Sequence, residues 1–545
     1  MFDYKIINAE IVDGTGAAAY RADLAVTGEK ISAIGDLSDT EAKVTIDAQG
    51  KTLAPGFIDL HTHSDLSVLY DHRMANRIYN GVTTDVCGNC GVGAAPVSDR
   101  YAEDFAGYLR TRIIGNIPGG FELKWRTYQE YLDAVNKAQP AANVAPILAQ
   151  GAVHIYEKGL SQSETTPEEL EHMKEEVRKA MECGAVGLSS GLIYLPGAYT
   201  SKEEFVALCA ETKPYGGLYI THKRDDGDHL HEAVDEAAEI AREAGVPLHI
   251  SHLKVTGKKN YGTVKEVFEH IHRLQASGLQ VTYDTYPYSW GMTSLLALLP
   301  PWVSEGGIDC LVERLKDPEI RKKVIYDIEN GLEGWSDAAR AVGDFDKIVI
   351  ASAKLESNLW MEGKGLKQIA DILKKDVYDV LLDLIIEEKA RTLIIEGLMD
   401  DKDVEEILAD PDTMIGSDSM ICGEDGLLSA GRPHPRMFGT QARVLAVYCR
   451  DKKLFPLELA VKKMTSMPAK LLGLEGRGEI RVGAYADLCL FDLANVKDMA
   501  TYDEPKQYSR GMDYVFVNGQ PALWEGKQTE VYAGRVIGRK RAADR

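Results

Sequence analysis

The sequence predicts an α/β protein: a (β/α)8 barrel with a small β-sandwich built from both chain ends. Three observations carry that expectation. Both ends of the chain consist of short alternating strands, the middle repeats strand then helix, and the middle strands finish in metal-ligating residue types. At the N-terminal end, YKIINAEIV, the turn Asp13-Gly14-Thr15-Gly16, ADLAVTGEKISAIG and AKVTIDAQGKTLAP alternate apolar and polar residues between Gly-rich turns. At the other end, GEIRVGAYADLCLFDL and MDYVFVNGQPALWEGKQTEVYAGRVIG do the same, with an Asn-Gly turn. Such patterns mark antiparallel sheet. Residues 1–54 and 475–545 are therefore expected to pair into one β-domain, interrupted by 55–474.

Within the middle, Thr166-Pro167-Glu168-Glu169 opens a helix with a capping box and a proline in its first turn, and AVGLSS follows as a strand. Ser201 and Glu204 suggest a second capping box, followed by the strand LYITH. A helix over 229–244, the strand PLHISHLK, a helix over 262–276 and the strand LQVTYDTYP continue the series. This repeat calls for a parallel sheet with helices outside, and polar strand ends over such a length favour a closed barrel. The stretch 355–410 reads as later barrel helices plus an insertion, placed around 303–410.

Composition narrows the partners. Acidic residues outnumber basic ones 84 to 62, for a net charge of −22, which argues against nucleic acid and anionic membrane as partners. A small-molecule substrate is expected, and self-association into a homo-oligomer is left open. Eight cysteines spread over 545 residues are no disulfide framework. MFDYKIINAE has no signal-peptide pattern and no apolar run reaches the roughly 18–20 residues of a membrane span. A cytoplasmic protein is the expectation.

The chemistry lies at the strand ends. GFIDLHTHSD closes with His61 and His63, two residues apart and so on one side of a strand. The strand before Gly88 leads to Asn89-Cys90-Gly91, LYITH ends in His222, PLHISH in His252 and TMIGSD in Asp418. Barrel strand ends share one face, where active sites lie. Imidazole, thiolate and carboxylate suit zinc, and six donors would serve two metal sites with the thiolate able to bridge. Cys87 and Cys90 have redox-dithiol spacing, but Gly91-Val92-Gly93 and Pro96 supply no thioredoxin-type helix start, so Cys87 reads as a strand residue. His72, His172, His229, His231, His270 and His272 read as surface or satisfied core groups, as does His249, which is out of phase with His252.

With these residues in hand, the chain resembles the N-acyl-D-amino-acid deacylases (D-aminoacylases) of the amidohydrolase superfamily. The matching stretches are APGFIDLHTHSD, GVTTDVCGNCG, GLSSGLIYLPG, THKRDDGD, ISHLK, YDTYPY, IGSDS, HPRMFGT, MTSMPAKLLGL, GRGEIRVGAYADLCLFD and VFVNG, in family order from about residue 50 to 520. The resemblance implies a barrel flanked by a β-sandwich and one tightly held Zn2+ on the positions of Cys90, His222 and His252. His61, His63 and Asp418 would form a weaker second site. It implies hydrolysis of N-acyl-D-amino acids, with Asp418 as general base and then proton donor to the leaving amine. Lys254, two residues beyond His252 on the same side, matches the lysine that holds the substrate carboxylate; Tyr194 and Tyr286 match tyrosines that line the substrate. Arg436 in HPRMFG and Arg224 in HKRDDGD are secondary candidates for anion binding.

Departures and rivals frame the reading. QGAVHIYEKG at 150–159 replaces the family's Gly-His…Leu-Arg segment, leaving the role of His154 open; Lys223 follows His222 where a bulky apolar residue is usual; extra residues fall around 303–350. One rival is a cyclic-amide hydrolase of the hydantoinase or dihydroorotase kind, which predicts a carboxylated lysine where this chain offers Cys90. The other is a non-catalytic barrel, which predicts lost ligands.

Overall fold

The computed structural model describes residues 1–332, 335 and 338–539. Positions 333, 334, 336 and 337 of the expected insertion and 540–545 of the expected C-terminal strand region lie outside the described residues.

The parallel strands are β1 (Phe57–Asp59), β2 (Val82–Cys87), β3 (Asn143–Pro146, resuming as Leu148–Ala149), β4 (Gly187–Gly191), β5 (Leu218–His222), β6 (Leu248–Ile250), β7 (Val281–Thr285) and β8 (Thr413–Ile415). The first piece of β3 pairs with β2 and the second with β4, so one broken strand joins a three-stranded and a six-stranded sheet. The ring closes between the first and last strands. Just beyond them Thr62 bridges Ser419 in parallel, the Asp418 amide donates to the His61 carbonyl (2.8 Å) and the His63 amide to the Ser419 carbonyl (2.7 Å). Eight parallel strands thus surround one axis. Closure brings the segment after β8 beside the segment after β1, and therefore Asp418 beside His61 and His63.

Helices fill the crossovers as parallel strands require. Pro167–Glu182, Lys202–Ala210, Leu230–Ala244 and Val264–Ala276 lie between successive strands from β3 to β7. Thr166 and Glu169 form the reciprocal capping box expected of the first of these. At the second only half the box forms. Ser201 accepts the Glu204 amide, but the Glu204 carboxylate accepts from Thr165 instead of reaching back.

In β1 the alternation of sides separates core from site. Ile58 and Leu60 join an apolar cluster with Val86, Ile220, Met414 and Leu472. Asp59, His61 and His63 face the other way. Beneath the histidines Arg77, fully buried, lies 2.9 Å from Asp85 and 3.6 Å from Asp59, and donates to Ser64 (3.1 Å) and Ser419 (2.5 Å). One guanidinium thereby ties β1, β2 and the segment after β8 together.

Both chain ends contribute to a nine-stranded sheet. Thr52–Pro55 pairs antiparallel with Leu488–Phe491, and Val517-Asn518-Gly519-Gln520 closes a hairpin with positive φ at both central residues (49° and 75°), the geometry an Asn-Gly turn favours. Ile6, Leu24, Leu53, Leu488 and Phe516 form its core. Between β7 and β8 the chain leaves the ring for residues 286–412. There Gly291–Ser294, Leu393–Glu396 and Ile348–Ser352 make a separate antiparallel sheet, with Leu393–Glu396 in the centre. Among the described residues no helix is long and apolar enough to cross a membrane.

Arg77 gives a stability test. Burial pushes Asp85 up to about 6 against the pull of Arg77, so truncating the arginine strands two buried acids. Arg77→Ala is expected to cost about 3–5 kcal/mol, read as a lowered thermal or urea midpoint; a midpoint within experimental error of wild type would contradict the tie.

Candidate active site

Every donor expected from the sequence stands at or just past the C-terminal end of a barrel strand, and all six are buried. Three take left-handed backbone: Cys90 (φ 56°), His252 (34°) and Asp418 (52°). Non-glycine residues there cost about 1–3 kcal/mol each and persist where surrounding structure enforces them. Here the enforcement is visible. In the Gly88-Asn89-Cys90-Gly91 turn, a Cβ on Gly88 (φ 91°) would sit 2.0 Å from the Ile147 carbonyl oxygen, and one on Gly191 of β4 would sit 2.2 Å from that of Cys90. The turn is pressed between β3 and β4, and Cys90 is aimed inward.

Cys90 Sγ lies 3.2 Å from His61 Nε2 and 3.4 Å from His252 Nε2. Sulfur and nitrogen ligands of one tetrahedral zinc stand roughly 3.5 Å apart. A second group shares His61: His63 Nε2 is 3.1 Å and His61 Nε2 3.8 Å from Asp418 Oδ1. In each triad, His61–Cys90–His252 and His61–His63–Asp418, the ligand atoms all lie within 4.8 Å of one another. His222 adjoins the first, its ring centroid 4.2 Å from that of His252, and neither of its buried nitrogens has a hydrogen-bond partner among the described residues.

Protonation fits the same use at three donors, while His61 and His63 keep a proton for a metal to displace. Against burial, Cys90 and Asp284 hold His61 above the ordinary imidazole range, and Asp418 and Cys90 raise His63 to about 9. Burial alone would push the Cys90 thiol up, yet the imidazoles of His61, His222 and His63 hold it well below its ordinary range. Burial and the nearby Lys254, His222 and His61 hold His252 neutral. Burial opposes the charge on Asp418, but Arg436 and His63 keep it well below the usual carboxylate range. Thiolate, neutral imidazole and carboxylate are the forms a divalent metal binds. The donor set, its spacing and the orphaned nitrogens of His222 together fit such an ion.

A cavity of about 100 Å³ opens over Cys90, His222, His252 and Asp418. Lys254, Tyr194 and Tyr286 line it. Lys254 Nζ is 2.9 Å from Asp226 Oδ2 and donates to His252 Nδ1 (2.8 Å). Tyr194 packs edge-on to His222, centroids 5.0 Å apart, with its hydroxyl 3.2 Å from Thr293. The two expected arginine anion binders are otherwise engaged. Arg436, 1% exposed, puts Nη1 3.0 Å from Asp418 Oδ2 and its guanidinium 4.8 Å from the Tyr286 ring centre. Arg224 is fixed on Glu236 (2.8 Å) and on the carbonyls of Leu192 and Ala198, and does not line the cavity. His154 lies apart, 3.0 Å from the Ser161 carbonyl, in a larger cavity of about 950 Å³ that shares Arg112 but holds none of the six donors.

Sequence reasoning missed four residues. Asp284, near the end of β7, accepts from the His252 amide (2.9 Å) and stands 2.8 Å from His249 Nε2 and 3.5 Å from His61 Nδ1, so it holds the backbone of one donor and backs the ring of another. An acid closing a barrel strand was a readable signal, and His249, set aside as out of phase, is its partner. Asp226, in THKRDDGD, binds the ammoniums of Lys223 and Lys254. Arg112 stacks on Tyr194, and Glu396 enters from the excursion between β7 and β8. Neither carries a local signal.

An eight-stranded parallel barrel with a thiolate–imidazole–carboxylate cluster at its strand ends defines a class, and residues 44–523 match the model of the amidohydrolase family. The chain belongs to that family and, within it, to the N-acyl-D-amino-acid deacylases. It is 35% identical over 547 residues to a D-aminoacylase of Alcaligenes xylosoxydans xylosoxydans, covering 99% of this chain and 98% of the relative. It is 32% identical over 535 residues to an N-acyl-D-aspartate deacylase of the same organism, covering 97% and 93%. Among solved structures, an N-acyl-D-glutamate deacylase from Bordetella bronchiseptica, complexed with zinc and a phosphonate mimic of the tetrahedral intermediate, superposes with TM-score 0.81. That pair is 31% identical, with 99% of this chain and 100% of the other covered.

Partners behind metal ligands set ring orientation, and losing one weakens binding about 10–100-fold. Asp284→Asn is expected to lower divalent-metal affinity by that factor, measured against a chromophoric chelator with the fold checked by circular dichroism. Unchanged affinity would remove Asp284 from the metal's support.

Proposed function

We propose that this protein is a zinc-dependent deacylase that hydrolyses the amide bond of N-acyl-D-amino acids to a carboxylate and a free D-amino acid. The observation that carries the reading is the buried cluster of Cys90 thiolate, imidazoles and Asp418 beneath a cavity bearing an ammonium. The D-aminoacylase and D-aspartate deacylase relatives, and the zinc-complexed D-glutamate deacylase, support it. A cysteine where cyclic-amide hydrolases carry a bridging lysine favours a linear substrate.

Cys90, His222 and His252 would hold the principal ion, with His61, His63 and Asp418 available to a second. Zinc there supplies a Lewis acid toward the amide carbonyl and the attacking water. Asp418 accepts the proton of that water on a carboxylate already held ionised, and passes it to the departing amine. Arg436, against its other oxygen, fixes the carboxylate's orientation. Tyr194 is the donor set to stabilise the oxyanion.

The substrate's α-carboxylate goes to Lys254. Lys223, Lys254 and Asp226 form a buried group with two ammoniums and one carboxylate, so one positive charge is left over. The departure at Lys223 thus adds the charge that lets Asp226 be satisfied while Lys254 remains cationic. A metal on His252 Nε2 would leave the proton on Nδ1, which can no longer accept from Lys254; the ammonium is then free for an anion. In this reading residues 1–54 and the described part of 475–545 form the β-sandwich domain, supported by the terminal sheet, and 55–474 the catalytic barrel with its insertion.

Asp418→Asn is expected to retain zinc while kcat falls about 10²–10⁴-fold, measured with metal content on the same preparation; near wild-type turnover would remove Asp418 from the chemistry. Lys254→Met is expected to lower kcat/KM about 10- to 100-fold through the loss of one charged hydrogen bond, chiefly as a raised KM. A panel of N-acetyl-D- and L-amino acids and hydantoins tests the reaction itself: cleavage of hydantoins and of no linear compound would overturn the assignment.

A further inference from the structure

Three acids face the cavity, and two of them are matched. Asp226 is bound by Lys223 and Lys254, and Asp418 by Arg436 and His63. Glu396 is different. It is 5% exposed, and its buried Oε2 has no hydrogen-bond partner among the described residues. It sits on the central strand of the small antiparallel sheet, in register opposite Gly291. Opposed residues of an antiparallel pair share a face, so the missing side chain at 291 leaves the carboxylate uncovered toward the cavity. A Cβ there would stand 3.6 Å from Oε1. Leu398 packs beside it, Met292, Ala338 and Ala341 line the same cavity, and Lys254 and Arg436 lie near enough to act on its charge without hydrogen-bonding it.

A buried acid without a partner is costly, and nature's usual remedy is a cation or hydrogen-bond donor supplied by something that binds. We propose that Glu396 recognises a cationic group, ammonium or guanidinium, on the side chain of the substrate's D-amino acid, so that the preferred substrates are Nα-acyl derivatives of basic D-amino acids. This rests on the deacylase reading. It assigns the cation to the side chain, not the acyl group, because Glu396 lies close enough to Lys254 to feel its charge. In a substrate whose carboxylate is on Lys254, the group branching from the same carbon is the side chain, whereas the acyl group lies beyond the scissile amide. The same acid would repel the anionic side chains named for the D-aspartate and D-glutamate relatives. Burial pushes Glu396 up to about 7, a carboxyl that an incoming cation would hold ionised.

The test compares Nα-acetyl-D-lysine with the uncharged Nα-acetyl-D-norleucine, and Nα-acetyl-D-arginine with Nα-acetyl-D-citrulline, on zinc-loaded enzyme. The kcat/KM ratio, charged over neutral, should exceed tenfold in wild type and fall by about 10- to 100-fold in Glu396→Gln. A wild-type ratio near or below one overturns the proposal without any variant, as does a high ratio that Glu396→Gln leaves intact. Calorimetric binding of D-lysine against D-norleucine is measured alongside. If no N-acyl-D-amino acid is cleaved the deacylase reading fails, and the calorimetry still decides Glu396: selective, Glu396-dependent binding of the charged ligand supports it, equal binding refutes it.

Discussion

Everything in this active site depends on one sulfur being held as a thiolate inside the protein. Cys90 is buried, and burial disfavours its charge. What reverses that is the ring of imidazoles, with His61 Nε2 at 3.2 Å and His252 Nε2 at 3.4 Å. His61 and His63, both held above the ordinary imidazole range, supply the compensating charge that a bound cation would replace. Left-handed backbone at Cys90, His252 and Asp418 shows the strain the fold sustains to keep the donors together. Closure of the barrel between β1 and β8 supplies Asp418, and the pressed turn after β2 supplies the sulfur. Fold and site are therefore a single constraint: opening the ring would separate His61 and His63 from Asp418.

Charge matching organises the pocket above the cluster. Arg436 serves Asp418, and Asp226 serves two lysines, which leaves one cation surplus on the side where a carboxylate would sit. Glu396 is the lining acid left without a hydrogen-bond partner among the described residues. Its strand lies in the excursion between β7 and β8, so the barrel provides the reaction while the excursion supplies a wall of the pocket. Such a division lets one chemistry accept different substrates.

Much of this was legible in the sequence because the relevant signals are local. The His-x-His after an apolar strand, the GNCG turn and single donors at strand ends each announce themselves within a few residues, as does the helix start at Thr166. What could not be read depends on pairing at a distance. Arg436 and Arg224 look alike in sequence as exposed-type cations, yet one is spent on Asp418 and the other on Glu236. The half-formed box at Ser201 has the same origin, since Thr165 claims the Glu204 carboxylate. Asp284 and Asp226 were visible as acids near the right strand ends, but their partners His249 and Lys223 gave no sign of needing them. Glu396 arrives from a sheet whose strands are separated by long helical stretches, and no periodicity connects it to the barrel.

The central claim is that sulfur and imidazole from separate strands bind one ion. X-ray absorption at the zinc edge of the loaded protein measures that directly. The account predicts one sulfur at about 2.3 Å with nitrogen or oxygen neighbours at about 2.0–2.1 Å. A first shell of nitrogen and oxygen alone, with no sulfur, would contradict it.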